Sequence, residues 1–280
     1  MQAAPSHPPA RPFFLQAKPG KRFCLYHPPH GEIRGMVLHL PAHAEEMNKS
    51  RRMVARQSRL LAQHGIGVLQ LDLYGCGDSE GDAADARWET WRADVECALD
   101  WLRTQADVAP TLWGLRLGAL LALDVARERH DLASLLLWQP VTDGAAYLTQ
   151  FLRLKLAADM LAVGKGEAGG VDALRRRLAE GAALEIAGYT LAPALAAAID
   201  GIALAGMARP GCVVHWLDVL PQAGRGMAPA RAAAAARCVE QGWRLATQAV
   251  HGPAFWSSQE IAEAPALLDA SLALLTREPA

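Results

Sequence analysis

Gly114-Leu115-Arg116-Leu117-Gly118 is the segment whose residue types and spacing bear most directly on chemistry. It lies between an apolar run, Thr111-Leu112-Trp113, and an apolar helical stretch from Ala119 to Arg127. Small residues flanking a central position let a chain reverse sharply from strand to helix, and the bend exposes its central side chain. A serine placed there becomes a nucleophile. Here the residue is Arg116, whose guanidinium stays protonated and offers donors only. Acyl-enzyme chemistry is closed at this position. The cation could instead grip a carboxylate or phosphate in bidentate fashion, or pair internally with Glu45 or Glu46, since a buried charge needs a partner.

Other candidate residues follow in chain order. The loop Pro41-Ala42-His43-Ala44-Glu45-Glu46-Met47-Asn48 comes directly after the strand-like Met36–Leu40. Glu45 and Glu46 could serve as acid and base, or they could favour the first turn of the next helix. His43 reads as a pocket wall. Asp218 directly follows the apolar run Cys212–Leu217, and His251 directly follows Trp243–Val250. The order of these segments resembles that of the α/β hydrolases. The resemblance implies an oxyanion-hole loop at Pro41–Asn48, a triad acid near Asp218 and a triad histidine near His251; both of the latter could equally be structural. Leu117 joins the pocket through the bend itself. Phe255 and Trp256 either line the pocket mouth or pack inside. Asp78 and Ser79 read as turn stabilisers, Cys76 as a small hydrophobe, and Ser50 as a helical serine bonded to its own backbone.

The elements that must hold these residues alternate. Met36–Leu40, Val68–Asp72, Thr111–Trp113 and Leu132–Trp138 read as strands; Asn48–His64, Trp88–Thr104 and Ala119–Arg127 read as helices. Repeated strand–helix–strand order predicts an α/β, mostly parallel, doubly wound sheet. From Gly144 the rhythm turns helical, with no strand expected before Cys212. Residues 1–143 and 211–280 are therefore expected to form one core, with 144–210 inserted as a helical cap above the strand ends. A helix over Ala228–Glu240 and a terminal helix over Gln259–Thr276 complete the pattern.

Composition excludes several classes. A net charge of -1 over 280 residues gives no basic face for nucleic acid. The five cysteines are scattered with no C-x-x-C pair, so neither a zinc site nor a disulfide framework is indicated, and no cofactor motif stands out. No apolar run reaches the ~20 residues of a membrane span, and Met1–Arg11 lacks an apolar signal core. A cytoplasmic protein is expected. Its oligomeric state is not written in the sequence.

The order of these landmarks resembles the α/β hydrolases, with Gly114–Gly118 at the nucleophile elbow and Asp72–Ser79 matching a D-x-x-G-x-G-x-S stretch. The runs His39–Arg52, Gly114–Gly118, Trp138-Gln139-Pro140-Val141 and Phe151-Leu152-Arg153-Leu154 further resemble the exosortase A system-associated hydrolase 2 family, across roughly residues 35 to 265. That resemblance implies an α/β-hydrolase fold, an arginine as the usual elbow residue, and an association with PEP-CTERM sorting and exopolysaccharide loci. Three functions are compatible with it. The chain could bind an acyl or anionic small molecule without serine catalysis, act as an esterase or thioesterase by another mechanism, or dock another exosortase-locus protein.

Overall fold

The computed structural model describes residues 8–163, 169–222 and 224–277. Ten strands are described: β1 (Arg11–Gln16), β2 (Lys21–His27), β3 (Gly35–Leu40), β4 (Ile66–Leu71), β5 (Thr111–Leu115), β6 (Ser134–Trp138), β7 (Leu184–Ile186), β8 (Tyr189–Leu191), β9 (Val213–Leu220) and β10 (Leu245–His251). Eight α-helices accompany them: α1 (Glu45–Gln63), α2 (Trp88–Gln105), α3 (Leu117–Ala126), α4 (Gly144–Val163), α5 (Gly170–Ala179), α6 (Pro193–Gly201), α7 (Pro229–Glu240) and α8 (Pro265–Thr276).

Eight strands form one sheet in the order β1-β2-β4-β3-β5-β6-β9-β10. β1–β2 and β2–β4 are antiparallel, and every later pairing is parallel. The covered strands show why the sheet is buried on both faces. In β6, Leu135 and Leu137 join the core under α2, α3 and α7, while Leu136 and Trp138 join the core under α1 and α8. α3 is buried along its whole length, as its all-round apolar sequence requires.

The expected α/β-hydrolase architecture is present, with three local differences. The sequence predicts no strand before Met36, yet β1 and β2 extend the sheet at one edge. β1 carries Pro12, which an edge strand tolerates because it lacks one ladder donor. The segment before Cys212 was expected to be strand-free, but β7 and β8 form an antiparallel hairpin there. Its two-residue turn is Ala187-Gly188, with φ of 50° and 83°. That geometry usually advertises itself as Asn-Gly or Asp-Gly, so an alanine concealed it. The terminal helix begins at Pro265 rather than Gln259, where proline's fixed φ suits a first helical position.

Between β6 and β9 the chain forms α4, α5, the hairpin and α6. Leu148, Leu152, Leu174, Leu184 and Leu195 from this segment are buried in the same core cluster as α2 and α3. Arg175 ties the helices together through Asp200 (2.6 Å), the Thr149 hydroxyl and the Ala145 carbonyl.

Candidate active site

Arg116 occupies a bend with φ 55° and ψ -115°, between the end of β5 and the start of α3. Both glycines are sterically compelled. A Cβ on Gly114 would lie 2.4 Å from the Ala119 Cα, and one on Gly118 would lie 2.3 Å from the Pro41 carbonyl oxygen. The bend is stitched to β6: Arg116 N–H donates to the Trp138 carbonyl (3.0 Å), and its own carbonyl accepts from Val141 (3.2 Å). The stereochemistry of a nucleophile elbow is thus complete without a nucleophile.

The guanidinium has three neighbours. Its Nε donates to Glu46 Oε1 at 3.0 Å, its Nη1 reaches the Gln139 carbonyl at 3.4 Å, and its Cζ lies 5.5 Å from the Trp256 ring centre. Cations over indole faces are attracted by the ring quadrupole. Of the two carboxylates open as partners in the sequence, Glu46 takes Arg116 and Glu45 takes Lys49 (3.0 Å, one turn later). Both stand in the first turn of α1, which follows Ala44 at φ 54°. Burial pushes the Glu46 carboxyl above its usual range, and Arg116 opposes that rise. Its Oε2 is buried without a hydrogen-bond partner.

His43 packs against Phe151 (5.2 Å between ring centres), and its Nδ1 lies 3.2 Å from the Tyr147 hydroxyl. Burial lowers the imidazole to about 4 and raises the phenol well above 10, so both are neutral at pH 7. These groups enclose a pocket of about 320 Å³ beyond the carboxyl ends of the strands, lined by His43, Glu45, Glu46, Lys49, Arg116, Trp256 and Ser257, with Tyr147, Gln150, Phe151 and Leu154 supplied by α4. Open α/β sheets bind ligands at this edge.

The other expected residues are placed elsewhere. Pro41 and Leu117 line a much smaller cleft that shares His43 with the main pocket. Cys76 lies in that cleft, and burial pushes its thiol up to about 12, which removes it as a nucleophile. Phe255 is part of the core, edge-on to Trp138 at 6.1 Å, rather than at the mouth. Asp218 does not follow its strand but lies inside β9, 0% exposed. Arg231 donates to it through Nε (2.9 Å) and Nη2 (2.5 Å), and Trp216 Nε1 donates at 2.7 Å. His251 is the last residue of β10, exposed, and does not line the pocket. The structure therefore does not bring Asp218, His251 and the elbow together as a relay. Ser50 donates to the Glu46 carbonyl (2.7 Å), and Ser257 to the Ala254 carbonyl.

Lys49, Tyr147, Gln150, Phe151, Leu154 and Ser257 line the pocket without having been expected there from the sequence. A signal existed for α4: Tyr147, Gln150, Phe151 and Leu154 recur at the spacing of one helical stripe. Among the described residues, no cluster of three His, Cys, Asp or Glu could hold a metal ion, and no helix is long and apolar enough to cross a membrane.

Comparison with known proteins agrees with this architecture. Residues 31–167, a little under half of the chain, match the family model for serine aminopeptidase, S33. No curated protein matches the sequence. Similar solved structures include Est1E from Butyrivibrio proteoclasticus bound to ferulic acid (15% identity, TM-score 0.64, covering 94% of this chain and 96% of that one). The α/β hydrolase GrgF from Penicillium sp. sh18 gives 15% identity, a TM-score of 0.62 and coverage of 95% and 98%. Mouse α/β hydrolase domain-containing protein 10 gives 15% identity, a TM-score of 0.59 and coverage of 95% and 97%. Elbow stereochemistry, sheet order and these likenesses converge on one conclusion: the chain has the α/β-hydrolase fold.

Proposed function

We propose that the chain binds an acyl-bearing or otherwise anionic metabolite in the Arg116 pocket and forms no serine acyl-enzyme. Its resemblance to the exosortase-associated family suggests a ligand from PEP-CTERM sorting or exopolysaccharide metabolism. One observation carries the reading. The loop after β10 sets the indole of Trp256 against the elbow side chain, where serine chemistry needs an imidazole. His251 stands five residues earlier, and the Asp218 carboxylate is already held by Arg231.

Two measurements test this. Fluorophosphonate should give no stoichiometric labelling, and nitrophenyl esters and acyl-CoA should turn over at background rates, in the wild type and in Arg116→Ser alike. Octanoate should bind the wild type saturably, with an affinity at least about tenfold lower in Arg116→Ala, the loss expected for one charge-assisted contact. Labelling of a serine, or unchanged octanoate affinity in Arg116→Ala, refutes the reading.

A second reading is favoured by the unpartnered Oε2 of Glu46 and its raised carboxyl. Glu46 would take a proton from water attacking an ester or thioester, and Arg116 would stabilise the oxyanion. Wild-type turnover well above background that disappears in Glu46→Gln would establish it in place of the first.

A further inference from the structure

A second cavity, of about 400 Å³, opens where the parallel strands begin, at the edge of the sheet opposite the Arg116 pocket. Its floor is a row of side chains that the register sets side by side: Val37, Thr111, Ser134 and Val213, from β3, β5, β6 and β9. Three strand spacings make this row about 14 Å long. The Thr111 and Ser134 hydroxyls meet at 2.9 Å and satisfy each other, so the middle of the floor asks for no polar partner. Leu274 and Leu275, at the end of α8, form the roof.

Two cations stand at opposite ends of the row. Arg34 precedes β3, and the stem of its side chain runs beside Gly65, where the chain enters β4. Arg277 follows α8 at the other end, beside β9. There burial lowers the His215 imidazole and the Arg277 charge lowers it further, so this end holds one cation and a neutral ring. Among the described residues neither guanidinium has an ion-pair or hydrogen-bond partner, and none of the lining residues is a carboxylate. Arginines on other faces pair with acids: Arg52 and Arg56 share Glu263, and Arg129 holds Glu96 and Asp131. The cavity is thus positive at both ends and apolar between them.

We propose that this cavity binds a medium-chain dicarboxylate, with one carboxylate on Arg34, the other on Arg277, and the methylene chain between the strand row and α8. A single anion would neutralise one end only, and a short diacid would not span the row. Burial of the methylenes against Val37, Val213 and the α8 leucines adds to affinity, while the two guanidiniums fix the spacing of the charges. The site is independent of Arg116 and of what the pocket there takes.

Azelate, its monomethyl ester and glutarate test this. The ester keeps the chain and loses one charge; glutarate keeps both charges on a shorter chain. Titration calorimetry at low ionic strength, where such contacts are least screened, is carried out on Arg116→Ala to remove the anion receptor at the other edge. Azelate should bind saturably, more tightly than glutarate and about three- to fivefold more tightly than the ester, the upper range for one exposed charge pair. Arg34→Gln and Arg277→Gln, each added to that background, should bring azelate and ester to within about 1.5-fold. Both arginines lie at the surface, and near-ultraviolet dichroism matching the parent should exclude misfolding.

No saturable azelate binding at millimolar concentration, an ester or glutarate that binds as tightly as azelate, or a preference that survives either substitution would each overturn the proposal.

Discussion

Arg231→Met is expected to remove about 3–5 kcal/mol of unfolding free energy, the cost of stranding one charge of a buried pair. Asp218 is 0% exposed and takes three donors from two side chains, two of them from this guanidinium. Without Arg231 the carboxylate keeps only the Trp216 N–H. Urea midpoints for Arg231→Met should fall below those of the wild type by the corresponding amount. The double variant Asp218→Leu/Arg231→Met should recover most of the loss, because an apolar pair carries no desolvation cost. A single variant as stable as the wild type at pH 7.5 would show that the pair is solvated.

Gly118→Ala is expected to be similarly severe, and for a different reason. The added methyl would stand 2.3 Å from the Pro41 oxygen and 2.4 Å from the Leu40 oxygen. Both are backbone atoms at the end of β3 and cannot rotate away. Overpacking of this kind usually costs about 1–3 kcal/mol and more when the neighbours are rigid. Here relief requires α3 to lift from the sheet, which would also move Arg116. Thermal melts should show a fall of many degrees and weakened octanoate binding together. Gly201→Ala, at the end of α6 with no atom within 4 Å of the new methyl, provides the control and should lie within about 0.5 kcal/mol of the wild type.

Legibility in the sequence followed how local the deciding physics was. The elbow could be read because Gly114, Arg116 and Gly118 impose their geometry within five residues. The parallel strands could be read from apolar runs that are covered on both faces. The β7–β8 hairpin could not, since Ala187 adopts a left-handed conformation that its side chain does not announce. Asp218 and His251 show a second limit. Their order along the chain suits a relay, but register sets the outcome: β9 and β10 pair as far as Leu220 and His251, which leaves the aspartate inside a strand and the histidine at a strand tip. That Trp256 rather than an imidazole reaches the elbow depends on the path of a loop, for which one sequence carries no periodic signal.

A guanidinium at the elbow also frees the pocket from a constraint that governs imidazole chemistry. Acidification silences a histidine base by protonating it, whereas arginine keeps its charge over the whole physiological range. Glu46, already raised by burial, would be the first of the pair to neutralise, leaving the cation more available to an incoming carboxylate. Octanoate affinity measured at pH 5.5 should then equal or exceed that at pH 8, so that acidic surroundings would load this site rather than switch it off.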